Sequence, residues 1–291
     1  MLVKEEDGNL LLRIIRMKIF RRVKTEDKLD LVLYSSSVKN PRAVIFLVHG
    51  MGEHALRYAE MARYFTEAGF AVVAFDIRGH GSSEGKRGHT PSYDLLMDDI
   101  ERVYDKVKFD YPDAPVVLFG HSMGGNLILN FLLRRKIKVA GAIVTGPYLK
   151  LGFEPPKWKI ILAKLSSIIL PSLSQPTELE KSALTRTPDI IREYEEDHLV
   201  HDRITSSFFI NVHFAGQFAI DHAHEITTPL LVMHGSEDRL TSPEGTIEFI
   251  KNASDHVSSK IWDGLYHELH NEPERDEVFL YELNWLQELL N

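Results

Sequence analysis

The chain contains no cysteine. That absence removes disulfides, thiolate nucleophiles and cysteine metal sites together, and it leaves the redox compartment open. Excess basic charge is also missing: Lys and Arg total 34 against 42 Asp and Glu, for a formal net charge of −8. Without a basic stripe there is no electrostatic footprint for nucleic acid, which is excluded as a partner. No apolar run approaches the ~20 residues of a membrane span, and the most apolar N-terminal stretch, residues 10–20, is interrupted by Arg13, Arg16 and Lys18. Acidic Glu5, Glu6 and Asp7 precede that stretch and no small-residue cleavage site follows, the wrong flanks for a secretory signal. The expectation is a soluble cytoplasmic protein, with residues 1–16 an extension ahead of a folded chain that starts at Met17. Internal repeats and low-complexity segments are lacking too, so the 291 residues must form one domain with an insertion, or two domains.

What is present is a rhythm. Residues 18–24 and 29–35 alternate apolar and polar positions around Thr25-Glu26-Asp27, the pattern of an antiparallel hairpin. Residues 43–48, 71–75 and 116–119 are continuous apolar runs, as in strands covered on both faces, and residues 139–145 and 230–234 are expected to be strands of the same sheet. A further strand is expected at 258–262. Helix-compatible stretches at 55–68, 93–109, 122–134 and 243–251 lie among these runs, and a closing helix carries Val278, Leu280, Leu283, Trp285, Leu286 and Leu289. Repeated strand-helix units demand a mostly parallel sheet with helices on both faces. Between 147 and 224 the rhythm stops: prolines stand at 155, 156, 171, 176 and 188, and no buried-strand signature occurs. The expected architecture is an α/β fold whose core comprises residues 17–146 and 225–291, with a helical cap inserted at 147–224.

Within that scheme residues 115–130 (PVVLFGHSMGGNLILN) read as strand, sharp turn and helix, with Ser122 at the bend. In the G-x-S-x-G nucleophile elbow the serine adopts strained geometry that only small neighbours allow, here Gly120 and Gly124. The following helix aims its N-terminus at the hydroxyl, so the Met123 N–H can stabilise an oxyanion. A serine needs a base and the base an orienting carboxylate, both from loops at the carboxyl ends of parallel strands. Asp238 follows the strand at 230–234, and His267 follows the one at 258–262, which gives the chain order Ser, Asp, His. Glu237 and His270 are their nearest rivals. A second oxyanion donor is expected from His49-Gly50-Met51-Gly52, after an early strand, where the Met51 N–H can act with that of Met123.

The segments HGMGEHALRY, FDIRGHGSSEG, GHSMGG, HGSEDRLTSP and YHELHNE resemble, in this order, the signatures of the monoglyceride lipase and lysophospholipase family of serine α/β-hydrolases, from about residue 44 to the C-terminus. The resemblance implies an α/β-hydrolase fold and a Ser122, Asp238 and His267 triad that cleaves fatty-acid esters of glycerol through an acyl-enzyme, with Met51 and Met123 as oxyanion donors. A lysophospholipase or general carboxylesterase uses the same machinery. It implies further that Glu53, Arg57, His121 and Tyr194 surround the glycerol headgroup. Tyr194 rests on the pattern Y-x-x-D-x-L, in which His198 stands where the family has proline. By spacing alone, Glu53 and Arg57 also read as an i,i+4 pair.

No cofactor is called for, and the small-molecule partner is expected to be a lipid ester. His222, His224 and Glu225 form too thin a donor set for a metal site. Asp76, Arg78 and His80 are expected to tie together the loop beneath the serine. In the cap, residues 158–173 combine Trp158, Ile161, Leu162, Leu165, Ile168 and Ile169 with Lys157, Lys159 and Lys164 nearby. Such a helix can make transient contact with a membrane interface, line an acyl tunnel, or pack on the main domain.

Overall fold

A computed structural model describes residues 17–153 and 155–291; the extension expected at 1–16 lies outside the described residues. The hairpin forms as β1 (Lys18–Lys24) and β2 (Asp30–Ser36), paired antiparallel with Lys24 opposite Asp30. The central strands are β3 (Val44–Val48), β4 (Ala71–Phe75), β5 (Val116–His121), β6 (Gly141–Thr145), β9 (Leu230–Gly235) and β10 (Val257–Trp262). Sheet order is β1-β2-β4-β3-β5-β6-β9-β10; β2 runs antiparallel to both neighbours, and all pairs from β4 to β10 are parallel.

The continuous apolar runs have a direct cause in this topology. Alternate side chains of each inner strand enter two different cores. On β3, Val44, Phe46 and Val48 join one cluster, while Ile45 and Leu47 join the other. The first cluster is covered by α2 (Tyr93–Asp110) and α3 (Met123–Arg134), the second by α1 (Ala59–Glu67) and α8 (Arg275–Leu290). The helix expected at 55–68 opens as a 3₁₀ turn, Ala55–Tyr58, before α1 begins.

Between β6 and β9 the chain leaves the sheet. It forms α4 (Lys157–Ile169), α5 (Pro188–Glu196) and α6 (Ser206–Asp221), plus a two-stranded antiparallel ribbon of β7 (Ser174–Pro176) and β8 (Arg203–Thr205). The ribbon departs from the purely helical expectation. Each strand has three residues and both are mostly exposed or half-exposed, so neither left an apolar run to read. α6 is no peripheral element either: Phe208, Val212, Ala215 and Ala219 lie in the same cluster as the β3 residues Phe46 and Val48. After β9, α7 (Pro243–Asn252) is capped by the Ser242 hydroxyl, which accepts from the Gly245 N–H at 3.1 Å. No helix among the described residues is long and apolar enough to cross a membrane.

Candidate active site

β5 passes into α3 through one residue, Ser122, whose φ of 54° and ψ of −117° put a non-glycine residue in left-handed territory. Such backbone costs on the order of 1–3 kcal/mol and persists only where the surroundings over-determine it. They do so here. The Ser122 N–H donates to Thr145 O at 2.9 Å, and its carbonyl accepts from the Asn126 N–H (3.1 Å) and the Tyr148 N–H (2.9 Å). The flanking glycines are required by close approach: a Cβ on Gly124 would lie 2.0 Å from Val48 O, and one on Gly120 2.5 Å from Gly124 O.

Asp238 and His267 meet on the loops after β9 and β10, with His267 Nδ1 2.6 Å from Asp238 Oδ2. Because a carboxylate only accepts, Nδ1 carries a proton, and in the neutral ring Nε2 keeps its lone pair. Asp238 Oδ2 also accepts from His234 Nε2 (2.9 Å) and the Thr241 hydroxyl (2.8 Å), while Oδ1 accepts from the N–H groups of Leu240 and Thr241. Burial alone would raise this carboxyl, but the charge and hydrogen bond of His267 and the bond from His234 outweigh it and hold Asp238 well below the usual carboxylate range. The converse applies to His267, which burial would lower and which Asp238 raises above the ordinary histidine value. The rivals are disposed otherwise. Glu237 is exposed, and His270 is buried with neither ring nitrogen hydrogen-bonded among the described residues, packed against Tyr58 and His121.

Ser122 and His267 line one narrow cavity together with Gly50 and Met51. The 49–52 loop abuts the serine so closely that a Cβ on Gly50 would lie 3.2 Å from Ser122 Cβ. The Gly50 N–H is engaged by Glu53 Oε1 at 2.6 Å, whereas the Met51 N–H has no partner among the described residues. Met123 opens α3, so its N–H has no intrahelical acceptor.

The same cavity is lined at its polar end by Glu53, Arg57, His121 and Tyr194. Glu53 and Arg57 are not a surface pair. Arg57 Nη1 bridges Glu53 Oε2 and Glu268 Oε1, both at 2.6 Å, and Nη2 donates to Glu268 Oε2 at 2.8 Å. Burial would raise the Glu268 carboxyl, but Arg57 pulls it down to about 2. Glu53 Oε1 also accepts from the Tyr58 hydroxyl at 2.7 Å, so this carboxylate anchors the 49–52 loop as well as lining the cavity. The Tyr194 ring lies over the Arg57 guanidinium, 4.8 Å from it. His121 Nδ1 lies 3.1 Å from Thr145 O, which leaves Nε2 as an acceptor in the neutral ring. Burial and the nearby His267 keep that ring neutral, well below the ordinary histidine value.

In the loop after β4, Asp76 accepts from the Ala55 N–H, the Tyr34 hydroxyl and the Ser82 N–H, while the Arg78 guanidinium is gripped by Asp99 and Asp27.

Against known proteins, the family model described as serine aminopeptidase, S33 matches residues 39–274. A monoacylglycerol lipase of Mycolicibacterium smegmatis is 33% identical over 85% of this chain and 89% of its own length. The chain belongs to the monoglyceride lipase family of serine α/β-hydrolases. A crystal structure of the Paleococcus ferrophilus monoacylglycerol lipase superposes with a TM-score of 0.81 at 33% identity, covering 88% of this chain and 99% of that one. An uncharacterized abhydrolase domain-containing protein of Dictyostelium discoideum is 34% identical over 91% of this chain, which spans 28% of that longer protein.

Sequence reasoning missed four residues in or around this cavity. Glu268 pairs with an arginine 211 positions away, and only its place beside His267 hinted at a role. His234 ends a buried strand and looked like part of it. Leu184 and Leu179, on the cavity wall, come from the proline-rich excursion, where no local pattern marks a lining residue.

Proposed function

We propose that this protein hydrolyses monoacylglycerols to fatty acid and glycerol through an acyl-enzyme on Ser122. The observation that carries the reading is the His267 ring, held by Asp238 through Nδ1 at 2.6 Å and facing the cavity that Ser122 also faces. In this reading Ser122 Oγ attacks the ester carbonyl carbon while His267 Nε2 takes the hydroxyl proton. The tetrahedral oxyanion accepts hydrogen bonds from the N–H groups of Met51 and Met123. Collapse breaks the bond to the glycerol oxygen, which receives the proton from His267. A water deprotonated by His267 then attacks the acyl-serine, releases the fatty acid and returns the proton to Ser122.

The substrate class draws support from the monoacylglycerol lipases among the relatives and from the two ends of the site. His121 Nε2, the Tyr194 hydroxyl and the Glu53–Arg57 pair offer acceptors and donors to a small polyol. On the outer side, α4 presents Trp158, Ile161, Leu165 and Ile168, which are 62%, 60%, 52% and 73% exposed. Lysines flank that face, an arrangement suited to resting at a lipid interface from which the substrate is drawn. Residues 147–224, or the part of them outside α6, act in this reading as a cap over the cleft.

A matched series tests the proposal: a monoacylglycerol, a lysophospholipid, a p-nitrophenyl ester with the same acyl chain, and an aminoacyl amide. The expected result is highest kcat/KM on the monoacylglycerol and none of this activity in Ser122→Ala. Equal kcat/KM on all the esters would leave a general carboxylesterase.

A further inference from the structure

The Met51 loop is pinned on both of its flanks, and one flank is held by the excursion between β6 and β9. On the inner flank, Gly50 donates its N–H to Glu53 and accepts from His49 Nδ1 at 2.7 Å, while His49 Nε2 accepts from the Ile77 N–H at 3.0 Å. On the outer flank, the Gly52 carbonyl accepts from the His201 N–H at 2.8 Å. Gly52 has a φ of +76°, and a Cβ there would lie 2.5 Å from His201 O, so residue 201 rests directly on the loop. Two residues further along, His54 Nε2 donates to Asp197 Oδ2 at 2.7 Å. His54 is buried and its Nδ1 has no hydrogen-bond partner among the described residues, so Asp197 is the group that orients its ring.

Residues 197–201 are themselves built to hold this position. Asp197 Oδ1 accepts from the Leu199 N–H at 2.8 Å and the Asp197 carbonyl from the Val200 N–H at 3.2 Å, which closes a tight arch. The His201 ring is fixed at both nitrogens: Nδ1 accepts from the Arg203 N–H, so Nε2 carries the proton and donates to Gly79 O at 3.0 Å. The arch therefore joins the Met51 loop to the 76–83 loop behind it. No residue of the arch is among those that line the cavity of Ser122 and His267.

We infer that the 197–201 arch is a brace that positions the oxyanion donor Met51, with Asp197 and His54 as its positioning residues. The inference rests on the proposed role of Met51. An oxyanion donor acts only if its N–H is already aimed where the charge will form. Met51, suspended between two fixed glycines, gains that aim from the arch, and the excursion thereby contributes to the chemical step.

The test uses Asp197→Ala, Asp197→Asn, which keeps a side-chain acceptor, and His54→Phe, which keeps the ring's bulk but loses the donor. Activity on a p-nitrophenyl butyrate substrate is normalised to sites titrated with a fluorophosphonate, so that unfolded protein does not count. Asp197→Ala and His54→Phe should lower kcat per site by on the order of 10- to 100-fold with KM changed by less than about twofold. Asp197→Asn should recover most of the loss, and the double variant should be no worse than either single one, because the pair acts as a unit. Affinity for a trifluoromethyl ketone, whose adduct with serine bears the oxyanion, should fall in parallel with kcat/KM. Unchanged kcat per titrated site in His54→Phe and Asp197→Ala, or unchanged ketone affinity, overturns the brace. If Ser122→Ala keeps its activity, the reading of the site fails instead; an inactive Ser122→Ala beside fully active brace variants condemns the brace alone.

Discussion

α4 and residues 184–201 belong to one excursion from the sheet, yet they are attached in opposite ways. None of the 13 residues of α4 is buried; it lies against α6, with one side-chain hydrogen bond to it among the described residues, Ser166 to Ser206 at 2.9 Å, and Lys164 Nζ 5.8 Å from the Phe214 ring. Residues 184–201 are fastened at both ends. Near the start, the Glu268 N–H donates to Leu184 O at 2.7 Å, the Thr185 and Thr187 hydroxyls both donate to Asn271 O, and Arg186 pairs with Glu272. Near the end stand the His54–Asp197 and Gly52–His201 contacts, and between them the Tyr194 ring covers Arg57. The segment thus spans from the His267 loop to the Met51 loop. The difference is one of attachment within one excursion: residues 184–201 are strapped to the loops that carry His267 and Met51, whereas α4 leaves its apolar side chains exposed.

If chemistry belongs beneath the strapped part, its largest disturbance is there too. Asp238→Asn should lower kcat about 10⁴-fold, because the imidazole would then present the wrong tautomer to Ser122. Steady-state kinetics on any ester checks this, and a variant within about tenfold of the parent would dissolve the proposed relay.

Wiring also decides the state of two buried acids outside the excursion. Glu268 and Glu282 are both buried, but Glu268 has Arg57 and is pulled down to about 2, while Glu282 on α8 has no hydrogen-bond partner among the described residues and burial pushes it up to about 8. A carboxyl raised in the folded state stays protonated where the unfolded chain ionises, so stability falls as pH rises from near the ordinary glutamate value towards 8. Glu282→Met should remove that slope and raise stability at pH 7 by on the order of 3 kcal/mol, as read from denaturant midpoints between pH 5 and 8. An unchanged slope would show that Glu282 is not the group responsible.

Tyr194→Phe keeps the ring over Arg57 and removes only the hydroxyl, so it isolates the headgroup role. It should cost monoacylglycerol turnover about tenfold or more and leave p-nitrophenyl esters of the same chain nearly untouched. Equal losses on both substrates would move Tyr194 from the headgroup to the frame.

The smallest effect should come from α4. Ile161→Glu should leave the melting temperature and short-ester activity unchanged, while vesicle sedimentation and long-chain turnover on vesicles drop about tenfold or less. A destabilised variant would show that α4 carries load in the fold after all.

The contrast also explains what was legible in the sequence. β3, β4 and β5 were readable because residues buried on both faces leave unbroken apolar runs; the elbow glycines then marked Ser122, and the strand-end rule with the chain order brought Asp238 and His267 forward. The helical stretch at 158–173 announced its apolar face but not its surroundings; periodicity alone cannot distinguish a buried helix from an exposed one, and in the structure α4 rests on α6 with none of its residues buried. The strap was unreadable for another reason. His54 and Asp197 are 143 positions apart, and Arg57 and Glu268 are 211 apart, so each pair looks like ordinary polar residues until the fold brings its members together. Tyr194 was reachable only through the family resemblance, and its place over Arg57 is a tertiary fact.

The central claim is an acyl group carried on Ser122 during turnover of a monoacylglycerol, and mass spectrometry of acid-quenched enzyme addresses it directly. Samples taken within the first turnovers on 1-oleoylglycerol should contain a peptide that bears Ser122 heavier by one oleoyl group, absent in Ser122→Ala; a His267→Ala variant loaded with an activated oleoyl ester should keep the same adduct longer. An oleoyl group found on another residue, or brisk hydrolysis by Ser122→Ala, would contradict the account.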